Sequence, residues 1–193
     1  HAARELLTAA SPLLVEEAII VSVAKGIEIE TGKRISEIAK EVAGAHPFVC
    51  LSGPSFAKEV IAGHPTAIVA ASKDNAAARA VQNDLSFENL RIYTNADVIG
   101  AELGGSVKNV MAIAAGMATG LGFGSNSLAA LITRGLAEMT RLARREGAQI
   151  ETLMGLAGLG DLVLTCTGNL SRNRFVGEEL GKGRTLAEIT AGM

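Results

Sequence analysis

The sequence predicts an α/β domain followed by an all-α domain, and two observations lead to this prediction. In the first half, short runs rich in β-branched residues alternate with helical segments, which is typical of an α/β domain. After Ala96 we find no further convincing strand, and the rest of the chain has helical patterning. We therefore expect residues 1–97 to form an α/β part and residues 98–193 a helical domain, with the boundary near 95–100.

The elements of the first half follow from the period of the apolar residues and from the turn residues between them. Glycine, proline and asparagine punctuate the chain where one element gives way to the next. These signals predict helices at 1–10, 36–43 and 74–85, and strands at 18–26, 66–72 and 90–95. A further strand starts at Pro47 and runs into a Gly-Pro loop within residues 47–55.

The second half contains four predicted helices. Residues 97–119 form a long helix crowded with alanine, glycine and methionine, and 126–146 form an amphipathic helix that ends at Gly147. Residues 171–181 and 185–192 follow, the latter opening with Thr185-x-x-Glu188, the pattern of a capping box. Both ends of the chain look cut, because it begins inside an α/β alternation and stops in a helix.

Composition excludes several classes of function. The net charge of −2 and the 3% of aromatic residues argue against nucleic-acid binding. His46 and His64 each precede a proline in a loop, so we expect no metal site. Cys50 and Cys166 lie in apolar surroundings without a C-x-x-C pair and are interpreted as buried, reduced thiols of a cytoplasmic protein.

Lys108 is the only charged residue between Leu103 and Thr133. This uncharged run is long enough for a membrane span, but its glycine, serine and asparagine favour a soluble helix. A buried ammonium loses its proton more easily, which suits a general acid or base. The alternative is a structural lysine whose head reaches solvent from a buried helix.

A second group of candidates lies between residues 158 and 177. Asp161 and Thr165 are four residues apart, so on a helix they share a face, and Asp161 is the expected partner of the lone lysine. Ser171 is placed to cap the next helix, with Arg172 and Asn173 in its first turn. An arginine there opposes the helix dipole unless an anion binds, so the pattern suits a phosphate; a solvated turn is the alternative.

Two further candidates follow predicted strands of the α/β part. Lys25 comes directly after the first strand, at the end where open α/β sheets bind ligands, although from this position alone a surface lysine at a strand end is the favoured interpretation. Gly53, Pro54 and Ser55 follow the second strand and are expected to open a short helix whose free N–H groups attract anions. A tight turn without a ligand is the alternative.

Several of these stretches together resemble the NAD(P)-dependent sn-glycerol-3-phosphate dehydrogenases of bacterial and plastid type. The resemblance rests on VAKGIE, LSGPSFAKE, NADVIGAELGGSVKNVMAIAAG and GLGDLVLTCTGNLSRNRFVG, in that order, and it covers essentially the whole chain. It implies a Rossmann-like dinucleotide-binding domain, of which residues 1–97 are the C-terminal part, and a helical catalytic domain at residues 98–193.

The resemblance also implies the reaction, which is reversible hydride transfer between NAD or NADP and dihydroxyacetone phosphate for glycerophospholipid synthesis. It assigns Lys108 as proton donor or acceptor, with Asp161 beside it. It implies a small phosphorylated substrate. The composition predicts a cytoplasmic protein without a membrane span, and the Gly/Ala-rich helix at 103–120 can pack closely within the domain or against another subunit, so a homodimer is possible. Seven residues match the substrate site: Lys25, Gly53, Ser55, Asp161, Ser171, Arg172 and Asn173. Three match positions near the dinucleotide: Lys25, Ala57 and Arg172.

The chain departs from the family pattern at both ends. The glycine-rich fingerprint, the strand that discriminates NAD from NADP, and the C-terminal closing segment are not among these 193 residues. Other readings remain open from the residues alone: another lysine-dependent dehydrogenase, of the β-hydroxyacid or 6-phosphogluconate kind, or a lyase that forms a Schiff base on Lys108.

Overall fold

A computed structural model describes residues 2–44 and 46–192, which form a four-stranded sheet and a set of helices. His1 and Met193, at the outer ends of the first predicted helix and of the chain, lie outside the described residues. The strands are β1 (Ile20–Ser22), β2 (Phe48–Ser52), β3 (Thr66–Ala71) and β4 (Leu90–Asn95). The helices are α1 (Ala2–Ala10), α2 (Ile35–Ala43), α3 (Ala57–Ile61), α4 (Asn75–Leu85), α5 (Val98–Gly120), α6 (Ser125–Arg145), α7 (Ile150–Met154), α8 (Asp161–Thr167), α9 (Arg172–Gly181) and α10 (Leu186–Ala191).

The sheet is mixed, with strand order β1-β2-β3-β4. β1 pairs parallel with β2, β2 antiparallel with β3, and β3 parallel with β4. The parallel pairs are joined through α2 and α4, whereas only a loop and the short α3 connect the antiparallel pair. Because β1 and β2 are parallel, the residues that follow both strands emerge at the same edge of the sheet.

Both faces of the sheet are covered, as expected for an α/β fold. Val49 and Leu51 of β2 pack with Ala77 and Val81 of α4 on one face. On the other face Cys50 packs with Val98, Ala101 and Ala157. This alternation with period two buries β2 from both sides, which explains why its sequence is almost wholly apolar. Cys50 and Cys166 are both buried free thiols, and burial raises their pKa values to about 12 and about 11.

Helix α5 is the central element, since it packs against the sheet, α6, α8 and α9. Asp97 caps it with a 2.9 Å bond from the Gly100 N–H to Oδ1, and Oδ2 accepts the Gln149 N–H at 2.8 Å. The buried Glu102 accepts the Ser36 N–H at 2.7 Å and its hydroxyl at 2.6 Å. By length and composition α5 could cross a membrane, but 56% of its most apolar window is buried inside the protein, as in a core helix.

Most of the predicted elements are confirmed, including the absence of strands after β4 within residues 96–192. Gly147 has φ 90° just past α6, and the capping box of Thr185 and Glu188 is formed. Two predictions were wrong in extent. The strand at 18–26 is only Ile20–Ser22, because the following residues leave the sheet as a loop. The strand that runs into the Gly-Pro loop ends at Ser52, directly before that loop, but the short helix expected to open at Gly53–Ser55 begins only at Ala57.

The segment between α6 and α9 was not predicted as helical. It contains α7, one turn of π-helix at Leu156–Gly160, and α8. Four glycines between residues 155 and 168 obscure its helical pattern, since glycine weakens an isolated helix. Here packing against α5 stabilises the segment instead: a Cβ on Gly104 would lie 2.5 Å from the Ala157 carbonyl oxygen. The domain division at residues 97 and 98 remains a prediction, although β4 ends at Asn95 and α5 begins at Val98.

Candidate active site

Lys108 lies at the centre of a buried polar cluster formed with Asp161 and Thr165. Its Nζ donates to Asp161 Oδ1 and, at 2.8 Å, to Thr165 Oγ1. Only 6% of Lys108 and 1% of Asp161 is exposed. A lysine ammonium has three N–H donors, so these two bonds leave one for a further partner.

The local sequence explains how Asp161 and Thr165 come to face α5. Asp161 is the first residue of α8, and Thr165 follows one turn later on the same face. The Thr165 hydroxyl donates to the Asp161 carbonyl oxygen at 2.6 Å, so its oxygen lone pairs are turned towards Lys108. The shared face predicted for this pair is therefore present and directed at the lysine.

Lys25 supplies a second ammonium to the same carboxylate from the α/β part. Its Nζ donates to Asp161 Oδ2 at 2.5 Å and to the Gly53 carbonyl at 3.4 Å. The side chain reaches Asp161 by passing α5 at Gly105, where a Cβ would lie 3.4 Å from Lys25 Cγ and 3.1 Å from Ser52 Oγ. Asp161 thus bridges two lysines, Lys108 of α5 and Lys25 of the segment that follows β1.

The electrostatics of the cluster favour an easily deprotonated Lys108. Burial lowers the pKa of Lys108 from its ordinary 10.5 to about 8, because desolvation penalises the ammonium more than Asp161 compensates it. The nearby positive charge of Lys25 acts in the same direction as burial. A lysine with a pKa of about 8 exists in both protonation states near neutral pH, which general acid–base chemistry requires.

A cavity of about 460 Å³ opens beside Lys108. Residues of α5, α8, α9, α10 and two loops line it: Phe56, Lys108, Asn109, Thr165, Leu170, Ser171, Arg172, Asn173, Val176 and Thr190. Ser171 caps α9 by accepting the Arg174 N–H at 3.2 Å, so the first N–H groups of the helix have no intrahelical partner. The exposed Arg172 makes no hydrogen bond or ion pair with the described residues and stands free beside the cavity.

The candidate residues from the sequence therefore fall into three sets. Lys25, Gly53, Lys108, Asp161 and Thr165 are joined by hydrogen bonds. Ser171, Arg172 and Asn173 share the cavity wall with Lys108 and Thr165. Ser55 and Ala57 lie on the loop and helix beside Phe56 but do not line the cavity.

Sequence reasoning missed five cavity residues, namely Phe56, Asn109, Leu170, Val176 and Thr190. Four of them lie in or beside the quoted motifs, because Phe56 lies within GPSFA, Asn109 follows Lys108, and Leu170 and Val176 lie within GLGDLVLTCTGNLSRNRFVG. Thr190 had no signal, since it lies on α10 and only tertiary packing brings it to the cavity.

Glycines fix the spacing between the helix that carries Lys108 and the helix that carries Arg172. A Cβ on Gly181 of α9 would lie 2.5 Å from the Met117 carbonyl oxygen and 3.0 Å from Gly120 Cα, both on α5. The two helix backbones are in contact at these positions, so α9 presents its first turn at a fixed distance from Lys108.

An α/β sheet joined to a helical part, with a lysine–carboxylate centre at the junction, defines a class of two-domain, Rossmann-type dehydrogenases. Two family models match two separate stretches of the chain. The NAD-dependent glycerol-3-phosphate dehydrogenase C-terminus matches residues 97–193, and the N-terminus of the same family matches residues 1–78. The chain belongs to the NAD-dependent glycerol-3-phosphate dehydrogenase family.

Similar proteins and structures carry the same description. A glycerol-3-phosphate dehydrogenase [NAD(P)+] of Koribacter versatilis is 57% identical over 100% of this chain and 58% of its own length. That of Citrifermentans bemidjiense is 57% identical over 98% of this chain and 58% of its own. A crystal structure of glycerol-3-phosphate dehydrogenase from Coxiella burnetii superposes with a TM-score of 0.96 at 45% identity, covering 99% of this chain and 58% of that one.

The chain spans 58% of the length of these curated relatives. The matching stretch contains the whole of the cluster and cavity described above. A more distant structure, from Dunaliella salina at 24% identity and a TM-score of 0.90, shares the fold.

Proposed function

We propose that the protein containing this chain transfers hydride reversibly between NAD(P)H and dihydroxyacetone phosphate, giving sn-glycerol 3-phosphate. One observation supports this reaction above the others: Lys108 holds two hydrogen bonds, to Asp161 and Thr165, and keeps its third donor free beside a cavity. Reduction of a ketone creates an alkoxide that needs one proton, and Lys108 provides it.

The surroundings of Lys108 suit both directions of the reaction. In the reducing direction the ammonium donates its free proton to the developing alkoxide, while Asp161 and Thr165 hold Nζ in place. In the oxidising direction the neutral amine accepts the proton of the substrate hydroxyl. A pKa of about 8 keeps both forms populated near pH 8.

The first turn of α9 suits the phosphate of such a substrate. Arg172 offers a guanidinium, Asn173 an amide, and the start of the helix its free N–H groups, all on the wall that Lys108 shares. Binding the phosphate there fixes the distance from the substrate oxygen to Lys108 Nζ, which supplies part of the catalysis by positioning.

The residues present fit a dinucleotide at the same crevice. Lys25 and Gly53 lie just after the carboxyl ends of two parallel strands, where open α/β sheets bind nucleotides, and the Arg172 side chain forms no hydrogen bond or ion pair with the described residues. In this proposal Lys25, Ala57 and Arg172 lie along the cofactor and Ser55 lies beside the substrate. When bound, the nicotinamide supplies or accepts the hydride.

The setting of the reaction is part of the same proposal. sn-Glycerol 3-phosphate is a building block of glycerophospholipids, so we infer a role in their synthesis. The free thiols of Cys50 and Cys166 are consistent with the reducing cytoplasm. A homodimer is proposed because the Gly/Ala-rich helix at 103–120 can pack closely against another subunit.

A substrate panel with the full-length protein tests the reaction. Oxidation of NADH or NADPH, followed by absorbance, should be fast with dihydroxyacetone phosphate and weak with dihydroxyacetone. A preference for β-hydroxyacids or 6-phosphogluconate would instead favour the related dehydrogenases. Borohydride treatment with substrate should leave no adduct on Lys108, whereas a trapped adduct would indicate a Schiff-base lyase.

A further inference from the structure

The loop between β2 and α3 reaches over both ends of α8, the helix that carries Asp161 and Thr165. At one end, a Cβ on Gly160 would lie 3.6 Å from the ring atoms Cγ and Cδ of Pro54. At the other, a Cβ on Gly168 would lie 2.5 Å from Phe56 Cε2, 3.0 Å from Phe56 Cζ and 2.7 Å from the Leu164 carbonyl oxygen. The Phe56 ring therefore occupies the space that a side chain at position 168 would fill.

The same phenylalanine belongs to the wall of the cavity beside Lys108. Three apolar side chains contribute to that wall, Phe56, Leu170 and Val176, and the other lining residues are polar. Leu170 and Val176 belong to the α8–α9 loop and to α9, on the helical side. Phe56 alone of the three comes from the α/β part, so it closes the cavity across the junction of the two parts.

We propose that Phe56 is a positioning residue that closes the apolar side of the substrate cavity and keeps water from Lys108, with Gly168 leaving room for its ring. The inference deepens the proposed dehydrogenase reaction, on which its kinetic consequences rest. It assigns the phenylalanine a role through Lys108, since the ring itself carries no group that exchanges protons.

The charged groups that face Lys108 come from three elements. Asp161 belongs to α8, Lys25 follows β1, and Arg172 starts α9 on the same cavity wall. The thiol of Cys166 on α8 is near as well, but it stays neutral because burial raises its pKa. None of these groups changes when Phe56 is replaced, so a shift in Lys108 titration would report hydration.

Phe56→Ala in the full-length protein tests the role. With the ring gone, water solvates the ammonium and the pKa of Lys108 rises from about 8. A rise of about one unit would lower the neutral fraction at pH 7 roughly tenfold, with a matching fall in the oxidation of glycerol 3-phosphate. Phe56→Leu, which keeps the apolar bulk, should restore most of the wild-type pH profile.

Gly168→Ala perturbs the same contact from the other side. Its new methyl group displaces the ring, so the pH profile should shift in the direction seen for Phe56→Ala. In the double variant the methyl still meets the Leu164 carbonyl oxygen at the end of α8 but no ring, so the shift in the pKa of Lys108 should equal that of Phe56→Ala alone. Titration of Lys108 by NMR, with lysine labelled with ¹³C at Cε and the signal assigned by its loss in Lys108→Met, measures the pKa without turnover.

Two results would overturn the inference. One is an unchanged Lys108 titration in folded Phe56→Ala; the other is a Gly168→Ala shift that adds fully to that of Phe56→Ala. If Phe56→Ala does not fold, an unchanged titration in Gly168→Ala has the same consequence. The proposed reaction fails separately, when the unsubstituted protein does not reduce dihydroxyacetone phosphate, and the NMR titration still decides the role of Phe56.

Discussion

Replacing Lys108 with methionine should make the protein more stable at neutral pH while it strongly lowers turnover. The ammonium is buried and its pKa falls from 10.5 to about 8, a difference that corresponds to about 3 kcal/mol. Between pH 8 and pH 10.5 the unfolded chain keeps on Lys108 a proton that the native protein has lost, so the free energy of unfolding of the wild type rises with pH. Below pH 8 the full penalty remains. Methionine, of similar length, removes it but leaves Lys25 as the ammonium partner of the buried Asp161, and this lost pairing offsets part of the gain.

The free energy of unfolding of both full-length proteins, from urea titrations followed by circular dichroism between pH 7 and 10, checks this prediction. The variant should gain up to about 3 kcal/mol at pH 7, less the lost hydrogen bonds, and the gain should shrink as pH rises above 8. Lys182→Met is the control. Glu178 and Glu179 raise the pKa of this exposed lysine, so its replacement should not reproduce that trend. If the free energy of unfolding of Lys108→Met differed from that of the wild type by the same amount at every pH, the desolvation of Lys108 would be refuted.

Three further variants test the surroundings of Lys108 in the full-length enzyme. Arg172→Ala should raise the KM for glycerol 3-phosphate roughly 10–100-fold and leave glycerol unaffected, because one charge-assisted contact is lost; equal effects on both would contradict a phosphate role. Asp161→Asn removes the charge that raises the pKa of Lys108, so ketone reduction should begin to decline at a lower pH than in the wild type. A decline at the same or a higher pH would contradict the pairing of Asp161 with Lys108. Gly181→Ala should lower the free energy of unfolding, measured in urea, by about 1–3 kcal/mol, because its methyl group overpacks α9 against α5. Gly124→Ala is the control: nothing lies within 4 Å of its Cβ, so its free energy of unfolding should be nearly unchanged.

Much of the fold could be predicted because its signals are local. The strands and the helices α4, α5 and α6 show clear period-two or helical patterning, and the caps at Ser171 and Thr185 are set by adjacent residues. The segment from α7 to α8 could not be predicted in the same way. Its glycines lower the helical signal, and the close approach of α5 at Gly104 that stabilises it is a long-range contact.

In the candidate site, too, the residues with local sequence signals could be predicted, and the long-range contacts could not. Lys108 was conspicuous as the only charge in an apolar run, and the spacing of Asp161 and Thr165 placed them on one helical face. The link from Lys25 to Asp161 joins residues 136 positions apart, and no local pattern reports it. Phe56 was quoted in a motif without a role, because its contact with Gly168 exists only in the folded protein.

The most direct test of the central claim is the turnover number of Lys108→Ala in the full-length enzyme with saturating dihydroxyacetone phosphate and NADH or NADPH. If Lys108 transfers the proton, kcat should fall roughly 10²–10⁴-fold, the usual contribution of general acid–base catalysis, while the dissociation constant of the cofactor stays unchanged. Wild-type turnover in this variant would contradict the assignment of Lys108 as the proton donor and acceptor.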